Sequence, residues 1–301
     1  MGRMNSKMKL FLSLVLLLVS KVTVAEVFVF ACEPEWAALA KEIGGDKLNV
    51  FSATSGRQDP HFIRARPSLI ARARRADLLF CSGAELEIGW LPLLLRKASN
   101  PKILNQSTGY LMASNYVRLL DKPASVDRSL GEIHSMGNPH VHLNPYNLLI
   151  IGRELTKRLG IIDPDNKIYY KKRLSQFNAR WQKNISMWEK KAELIKNKNY
   201  IVYHANWSYL ADWLNINMKI SVEPKPGIPP GTDHLSLLLK NIRDNNFEKI
   251  IYAANKNPKA VEWLSDKSGL PVKKLPFTVG GTAEADSLYN LFNETIKALI
   301  E

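Results

Sequence analysis

Residues 163–195 read DPDNKIYYKKRLSQFNARWQKNISMWEKKAELI. Asp163-Pro164-Asp165 is a helix start, because a proline in the first turn gives up an N–H that has no partner there and arrives with its φ preset. Beyond it Tyr170, Leu174, Phe177, Trp181, Ile185, Trp188, Ala192 and Ile195 recur at spacings of three and four. At 3.6 residues per turn these side chains form one apolar stripe, while Lys, Arg, Asn and Gln fill the opposite face. A helix of about 30 residues is roughly 45 Å long, so the stretch reads as a stiff strut.

The segments on either side say what the strut joins. Before it, Val27–Ala31 is strand-like, Glu35–Ile43 helical and stopped by Gly44-Gly45, and Leu48–Ala53 strand-like again. A helix at Arg66–Arg75, a strand at Leu78–Cys81, a helix over residues 85–97 and a short strand at Lys102–Leu104 continue the series. After the strut the rhythm restarts at Tyr200–Tyr203. It runs through Trp207–Leu214, Lys219–Val222, His234–Asn245, Lys249–Tyr252, Ala260–Ser268 and Val272–Leu275, and ends in a helix from about Ala283 to Ile300. Alternating strands and helices predict parallel sheets. The expected fold is α/β: two similar lobes, each a parallel sheet flanked by helices, joined by one long rigid helix. The expected divisions are a leader at 1–25, an N-terminal lobe at 26–160, the linker helix at 161–198 and a C-terminal lobe at 199–301. Ligands of open α/β sheets bind beyond the carboxyl ends of the strands, which here means the cleft between the lobes.

Arg3, Lys7 and Lys9 precede an apolar run from Leu10 to Val19, and Val24 and Ala25 supply small residues for cleavage before Glu26. This is the pattern of a cleaved secretory signal, with an apolar run too short to span a bilayer of ~30 Å. A lipid anchor at Cys32 fits less well, since Glu26 and Phe30 interrupt the motif it needs. Residues 1–25 hold four Lys/Arg and no acid, so removing them lowers the net charge from +14 to +10. No basic run is interleaved with aromatics, and an exported chain does not meet nucleic acid; the positive charge reads as solvated surface. Cys32 and Cys81 each close an apolar run. If those runs are neighbouring parallel strands, the thiols share one sheet edge, and export permits a disulfide between them; two buried free thiols are the alternative.

The chemistry lies in the histidines, six in the chain. His61 ends Gln58-Asp59-Pro60-His61, where Asp59 can accept a hydrogen bond from the ring. His140 and His142 sit in Asn138-Pro139-His140-Val141-His142; on an extended segment they point to opposite sides, leaving His140 for the cleft and His142 for packing. His204 closes the strand at 200–203. His134, before a glycine-bearing loop, is an auxiliary candidate, as is His142 should it reach the rim, and His234 reads as structural in a helix. Three imidazoles brought together from distant segments suit a borderline-soft divalent metal and leave one tetrahedral position. Asp286, read in the first turn of the last helix, is the expected fourth ligand, with Glu284 its rival. Four protein ligands would leave no activated water, and there is no HExxH and no serine or cysteine nucleophile motif. A zinc hydrolase is therefore a remote alternative, and an adhesin a further one.

At this point the chain resembles the metal-specific solute-binding proteins of bacterial ABC transporters, the zinc and manganese group. The resemblance covers essentially all of the chain after the leader. It is carried by Gln58–His61 with Ala65-Arg66-Pro67-Ser68-Leu69-Ile70, by Arg74–Leu78, by Gly83–Glu87 with Trp90-Leu91-Pro92, by Gly137–His140, by His204, by Glu223–Pro230 and by Val279–Thr282. It implies one metal ion held between the lobes by His61, His140, His204 and Asp286. It also implies delivery to an inner-membrane ABC permease from the periplasm by a monomer that is not an enzyme. His204, where manganese-type relatives place a carboxylate, resembles the zinc type, and three neutral nitrogens also favour Zn2+ over Mn2+; manganese or iron is the alternative cargo. Ligand protonation should weaken binding below about pH 6. Two features depart from the family pattern: the stretch at about 119–137 holds only His134, and Phe62 stands where a second histidine is expected.

Overall fold

The computed structural model describes residues 26–124, 131 and 134–301; the leader read at 1–25 lies outside them. The first half contains β1 (Val27–Ala31), α1 (Pro34–Gly44), β2 (Leu48–Ser52), α2 (Pro67–Arg75), β3 (Leu78–Cys81), α3 (Leu91–Ala98) and β4 (Tyr110–Met112). Its four strands are parallel in the order β2-β1-β3-β4, with Val29 of β1 opposite Val50 of β2 and Leu78 of β3. β3 is buried along its whole length, because helices cover both faces of a parallel sheet, and its sequence is accordingly continuous Leu-Leu-Phe-Cys.

Two helices follow, α4 (Pro145–Ile162) and α5 (Lys167–Ala192). The second half then repeats the first. β5 (Asn199–Val202), α6 (Ser208–Leu214), β6 (Asn217–Ser221), α7 (Thr232–Asp244), β7 (Lys249–Ala253), α8 (Lys259–Ser268) and β8 (Val272–Leu275) give a parallel sheet in the order β6-β5-β7-β8. The chain ends with α9 (Leu288–Ile300). Among the described residues no helix is long and apolar enough to cross a membrane.

The stripe of α5 is the shared core. Tyr170, Phe177, Trp181, Ile185, Trp188 and Ala192 are all buried. Trp181 stacks on Phe177 at 5.2 Å and meets Phe292 of α9 edge-on at 5.4 Å, and its indole Nε1–H donates to Pro145 O at 2.9 Å. Trp188 stacks on Phe292 at 4.9 Å and donates to Asn293 Oδ1 at 2.8 Å. Toward the first half, Arg173 Nε donates to Glu42 O at the end of α1. One helix thus packs on both halves.

The structure corrects the sequence reading in four places. The strand expected at 102–104 is a 3-10 turn, Pro101–Ile103: Pro101 has no N–H for a ladder, and Asn100 Oδ1 accepts from Lys102 N at 3.1 Å. The fourth strand is β4, eight residues later. The helix expected over 85–97 begins only at Leu91, after three consecutive residues with positive φ, Gly83, Ala84 and Glu85. Residues 145–162, to which no element was assigned, form α4, started by Asn144 whose Oδ1 accepts from Tyr146 N. The last helix starts at Leu288 instead of about Ala283, because Ser287 caps it by accepting from Asn290 N.

Cys32 and Cys81 are joined as a disulfide, with Cα atoms 4.8 Å apart, tying the end of β1 to the end of β3. In the chain-entropy picture, closing a loop of this length contributes about 4 kcal/mol. The two halves also meet directly. A Cβ on Gly56 would lie 2.3 Å from Gly281 N; in the facing loop a Cβ on Gly281 would lie 1.8 Å from Pro276 O and Gly280 has a φ of 77°, which accounts for Gly280-Gly281.

Trp181→Ala should lower stability by about 3–5 kcal/mol, the usual cost of truncating a fully buried tryptophan. Denaturant unfolding monitored by circular dichroism measures it. A loss near zero would show that the stripe on α5 is not the shared core.

Candidate metal centre

Each histidine is delivered by a local device. His61 lies in a 3-10 turn, Pro60–Phe62, beyond β2. Asp59 caps the turn: its Oδ1 accepts from His61 N at 3.2 Å and from the ring Nδ1–H at 2.7 Å. Trp90 Nε1–H donates to Pro60 O from beneath. His140 follows Asn138, whose Oδ1 accepts from His140 N at 3.0 Å, and a 3-10 turn leads from it into α4. His204 comes two residues after β5, and its ring Nδ1–H donates to Glu223 Oε2 at 2.6 Å. Glu223 also accepts from Gly227 N, so the turn after Glu223-Pro224 is built on the same carboxylate.

These devices fix tautomers. With Nδ1–H bonded to a carboxylate in both His61 and His204, the unprotonated Nε2 is the atom left for a ligand. A cavity of about 400 Å³ between the halves is lined by His134, His140 and His204, with Asn138, Ala205 and Pro226 among its walls. His61 stands beside it, its ring 6.0 Å from that of His140 and stacked 5.2 Å from that of His134. The His61 and His134 Nε2 atoms are 3.1 Å apart. Two nitrogens bound to one tetrahedral zinc at ~2.0–2.1 Å sit about 3.3 Å apart, so this pair already has nearly the required spacing.

The rings gather without converging fully. Among the described residues, the donor group with three atoms within 4.8 Å of one another is Cys32, Cys81 and Glu87, whose two sulfurs are bonded to each other. Burial lowers the pKa of His134 to about 4, with the neighbouring His61 adding to the shift. It lowers that of His140 well below the usual histidine value, again with the other histidines contributing. Both rings are therefore neutral at pH 7, the state a metal requires.

The remaining sequence candidates fall elsewhere. Asp286 is exposed, accepts from Asn290 Nδ2 at 2.8 Å and is not part of the cavity wall; Glu284 is exposed as well. With α9 starting late, 282–287 is a loop that turns Ala285 inward and Asp286 outward. What faces the histidines beyond β8 is Phe277, its ring 5.0 Å from His140 and 5.1 Å from Trp207. His142 is buried beneath, where its Nε2–H donates to Phe277 O at 2.9 Å and its Nδ1 lies 3.2 Å from Glu35 Oε1. Phe62, noted as a departure in the sequence, is 70 % exposed and adds no donor. His234 lies in the first turn of α7, away from the cavity.

Several residues that complete the site carried no assigned role in the sequence. Lys256, beyond β7, donates to Asp59 Oδ2 at 3.0 Å and reaches the first half from the second. Burial would raise the Asp59 pKa, but the His61 bond and the Lys256 charge outweigh it and hold the carboxylate well below its usual range. Tyr209 of α6 donates to Asn138 O at 2.9 Å and accepts from Leu120 N, bracing both ends of the loop that carries His134. Glu33 and Glu87 form a second buried group next to the disulfide, both bonded by Ser82 N. Burial raises both, Glu87 to about 7 and Glu33 well above the usual carboxylate range with the help of the Glu87 charge, so the pair retains a proton at neutral pH.

Two α/β halves on a rigid helix, with histidines from each facing one cleft, define a metal-binding solute receptor. The chain belongs to the periplasmic zinc-uptake complex component A (ZnuA) family, metal-binding components of ABC transporters, whose profile matches residues 29–301. Among similar proteins, the manganese ABC transporter substrate-binding lipoprotein PsaA of Streptococcus pneumoniae serotype 4 is 22 % identical over 273 residues, 88 % of this chain and 85 % of that protein. The iron ABC transporter substrate-binding lipoprotein MtsA of Streptococcus pyogenes serotype M1 is 24 % identical, covering 80 % of this chain and 76 % of that one. A crystal structure of a zinc-bound ZnuA deletion mutant superposes with a TM-score of 0.75 at 22 % identity, over 91 % of this chain and 97 % of the other. At that identity the likeness speaks for the fold, and the fold agrees.

Glu223→Ala should weaken metal binding by about 10- to 100-fold, the usual effect of removing a carboxylate that orients a ligating histidine. A chelator-competition titration measures this. Unchanged affinity would mean that His204 is not a ligand.

Proposed function

We propose that this protein is a zinc carrier, exported to the periplasm, that hands the ion to an inner-membrane ABC permease and acts as a monomer without catalysing a reaction. The observation that carries the reading is the donor set at the cleft: His61, His134, His140 and His204, all imidazoles. The carboxylate on the cavity wall, Asp121, is exposed and accepts from Asn138 Nδ2. Manganese prefers oxygen donors, whereas zinc takes nitrogen readily, so a set of this kind favours zinc. In this reading His61, His140 and His204 are the core ligands. His134 supplies the fourth nitrogen in place of Asp286, since its Nε2 lies 3.1 Å from that of His61 whereas Asp286 is exposed and off the cavity wall. A metal with four protein ligands has no open position for an activated water, which suits a cargo and not a hydrolytic cofactor.

Relatives that carry manganese or iron keep those ions in view. The test is a titration of residues 26–301, stripped with chelator, with zinc against manganese. One tight zinc per chain and much weaker manganese is expected, with zinc lost in His61→Ala and in His140→Ala. Tight manganese with weak zinc would move the chain to the manganese carriers, and no tight binding of either would overturn the reading.

A further inference from the structure

Gly83, Ala84 and Glu85 follow β3 and all have positive φ, at 76°, 48° and 68°. Alanine and glutamate rarely adopt this region, and a run of three persists only where the surroundings determine it. Here they do. The disulfide fixes Cys81, and the buried Glu87 carboxylate accepts from Ser82 N at 2.8 Å and from Gly83 N at 3.1 Å, pulling the turn inward. A Cβ at Gly83 would stand 2.6 Å from Ser114 Oγ, so the turn is also seated tightly from outside.

The turn aims Glu85 across the surface at the loop that carries His134. Both Glu85 oxygens are used on one residue: Oε2 accepts from Ser135 N at 2.5 Å, and Oε1 accepts from Ser135 Oγ at 2.7 Å. The same turn is closed by Gly137 N, which donates to His134 O at 3.1 Å, with Gly137 at φ 120°. The turn that begins at His134 is therefore pinned at Ser135 and closed at Gly137, and the His134 ring lies stacked against that of His61.

We infer that Glu85 is a positioning residue for the metal centre: through Ser135 it sets His134 as a nitrogen donor opposite His61 and so slows release of the ion. This rests on the zinc reading given above. It explains why a strained turn is kept in the first half, and why a half-buried carboxylate bonds to serine instead of a cation.

The experiment is a double-mutant cycle on residues 26–301 with Glu85→Ala, Ser135→Ala, His134→Ala and the paired variants. Zinc release to a competing chelator and the visible spectrum of the cobalt-loaded protein are the two readouts. Glu85→Ala should speed release about 10-fold, the low end for loss of a residue that orients a ligand. Its cobalt spectrum should match that of His134→Ala. Ser135→Ala, which leaves the strained turn untouched and removes only the Oγ bond, should shift both readouts in the same direction by a smaller factor. Glu85→Ala added to His134→Ala should change nothing further. An equal effect of Glu85→Ala with and without His134, or wild-type release and spectrum in both single variants at Glu85 and Ser135, would overturn the inference. Failure of wild-type protein to bind zinc would instead overturn the zinc reading.

Discussion

The indoles of Trp181 and Trp188 hold the two halves in one frame. Each is fully buried, each donates its only N–H, and between them they touch the start of α4 and the length of α9. A side chain of this size sheds its area from water only if both neighbours stay in place, so the buried stripe of α5 resists any motion that would separate the halves. The cleft is thus preset in width. Contacts across it are short and local: Lys256 to Asp59, Gly56 against the loop at Gly280-Gly281, and Glu35 to Thr278. Metal capture and release on such a frame must be matters of loop and side-chain adjustment.

Within that frame two of the imidazoles are set by carboxylates. Asp59 and Glu223 stand in the same relation to His61 and His204, one in each half, each holding Nδ1–H and leaving Nε2. Asp59 is bonded in turn by Lys256 from the opposite half, so the orientation of His61 depends on the halves being together. Phe277 and Trp207 make the floor apolar, which strengthens any charge interaction above it by excluding water. A deeper pair, Glu33 and Glu87, stabilises the turn beyond β3 at the cost of carrying a proton that free carboxylates would have lost.

The architecture was largely legible in the sequence because its signals are local. The spacing from Tyr170 to Ile195 declares one face of a helix, and continuous runs such as Leu78–Cys81 declare buried parallel strands. What escaped was set by caps and turns. Pro101 removes the strand that Lys102–Leu104 suggests, and Ser287 delays the last helix. That delay leaves Asp286 in an exposed loop, while Phe277, just beyond β8, faces the histidines. The motif residues His61, His140 and His204 stood out by their neighbours. His134 did not, because its place depends on a bond between Glu85 and Ser135, 50 residues apart, and on left-handed backbone at residues that do not favour it. Glu223 and Lys256 were hidden for the same reason: each acts on a histidine brought near only by the fold.

The central claim is that imidazoles from both halves hold the ion. X-ray absorption at the zinc edge of zinc-loaded residues 26–301 tests it most directly. The account predicts a first shell made entirely of nitrogen at ~2.0 Å, with the outer-shell scattering of four imidazoles. A shell dominated by oxygen, or one with the scattering of fewer than three imidazoles, would contradict it.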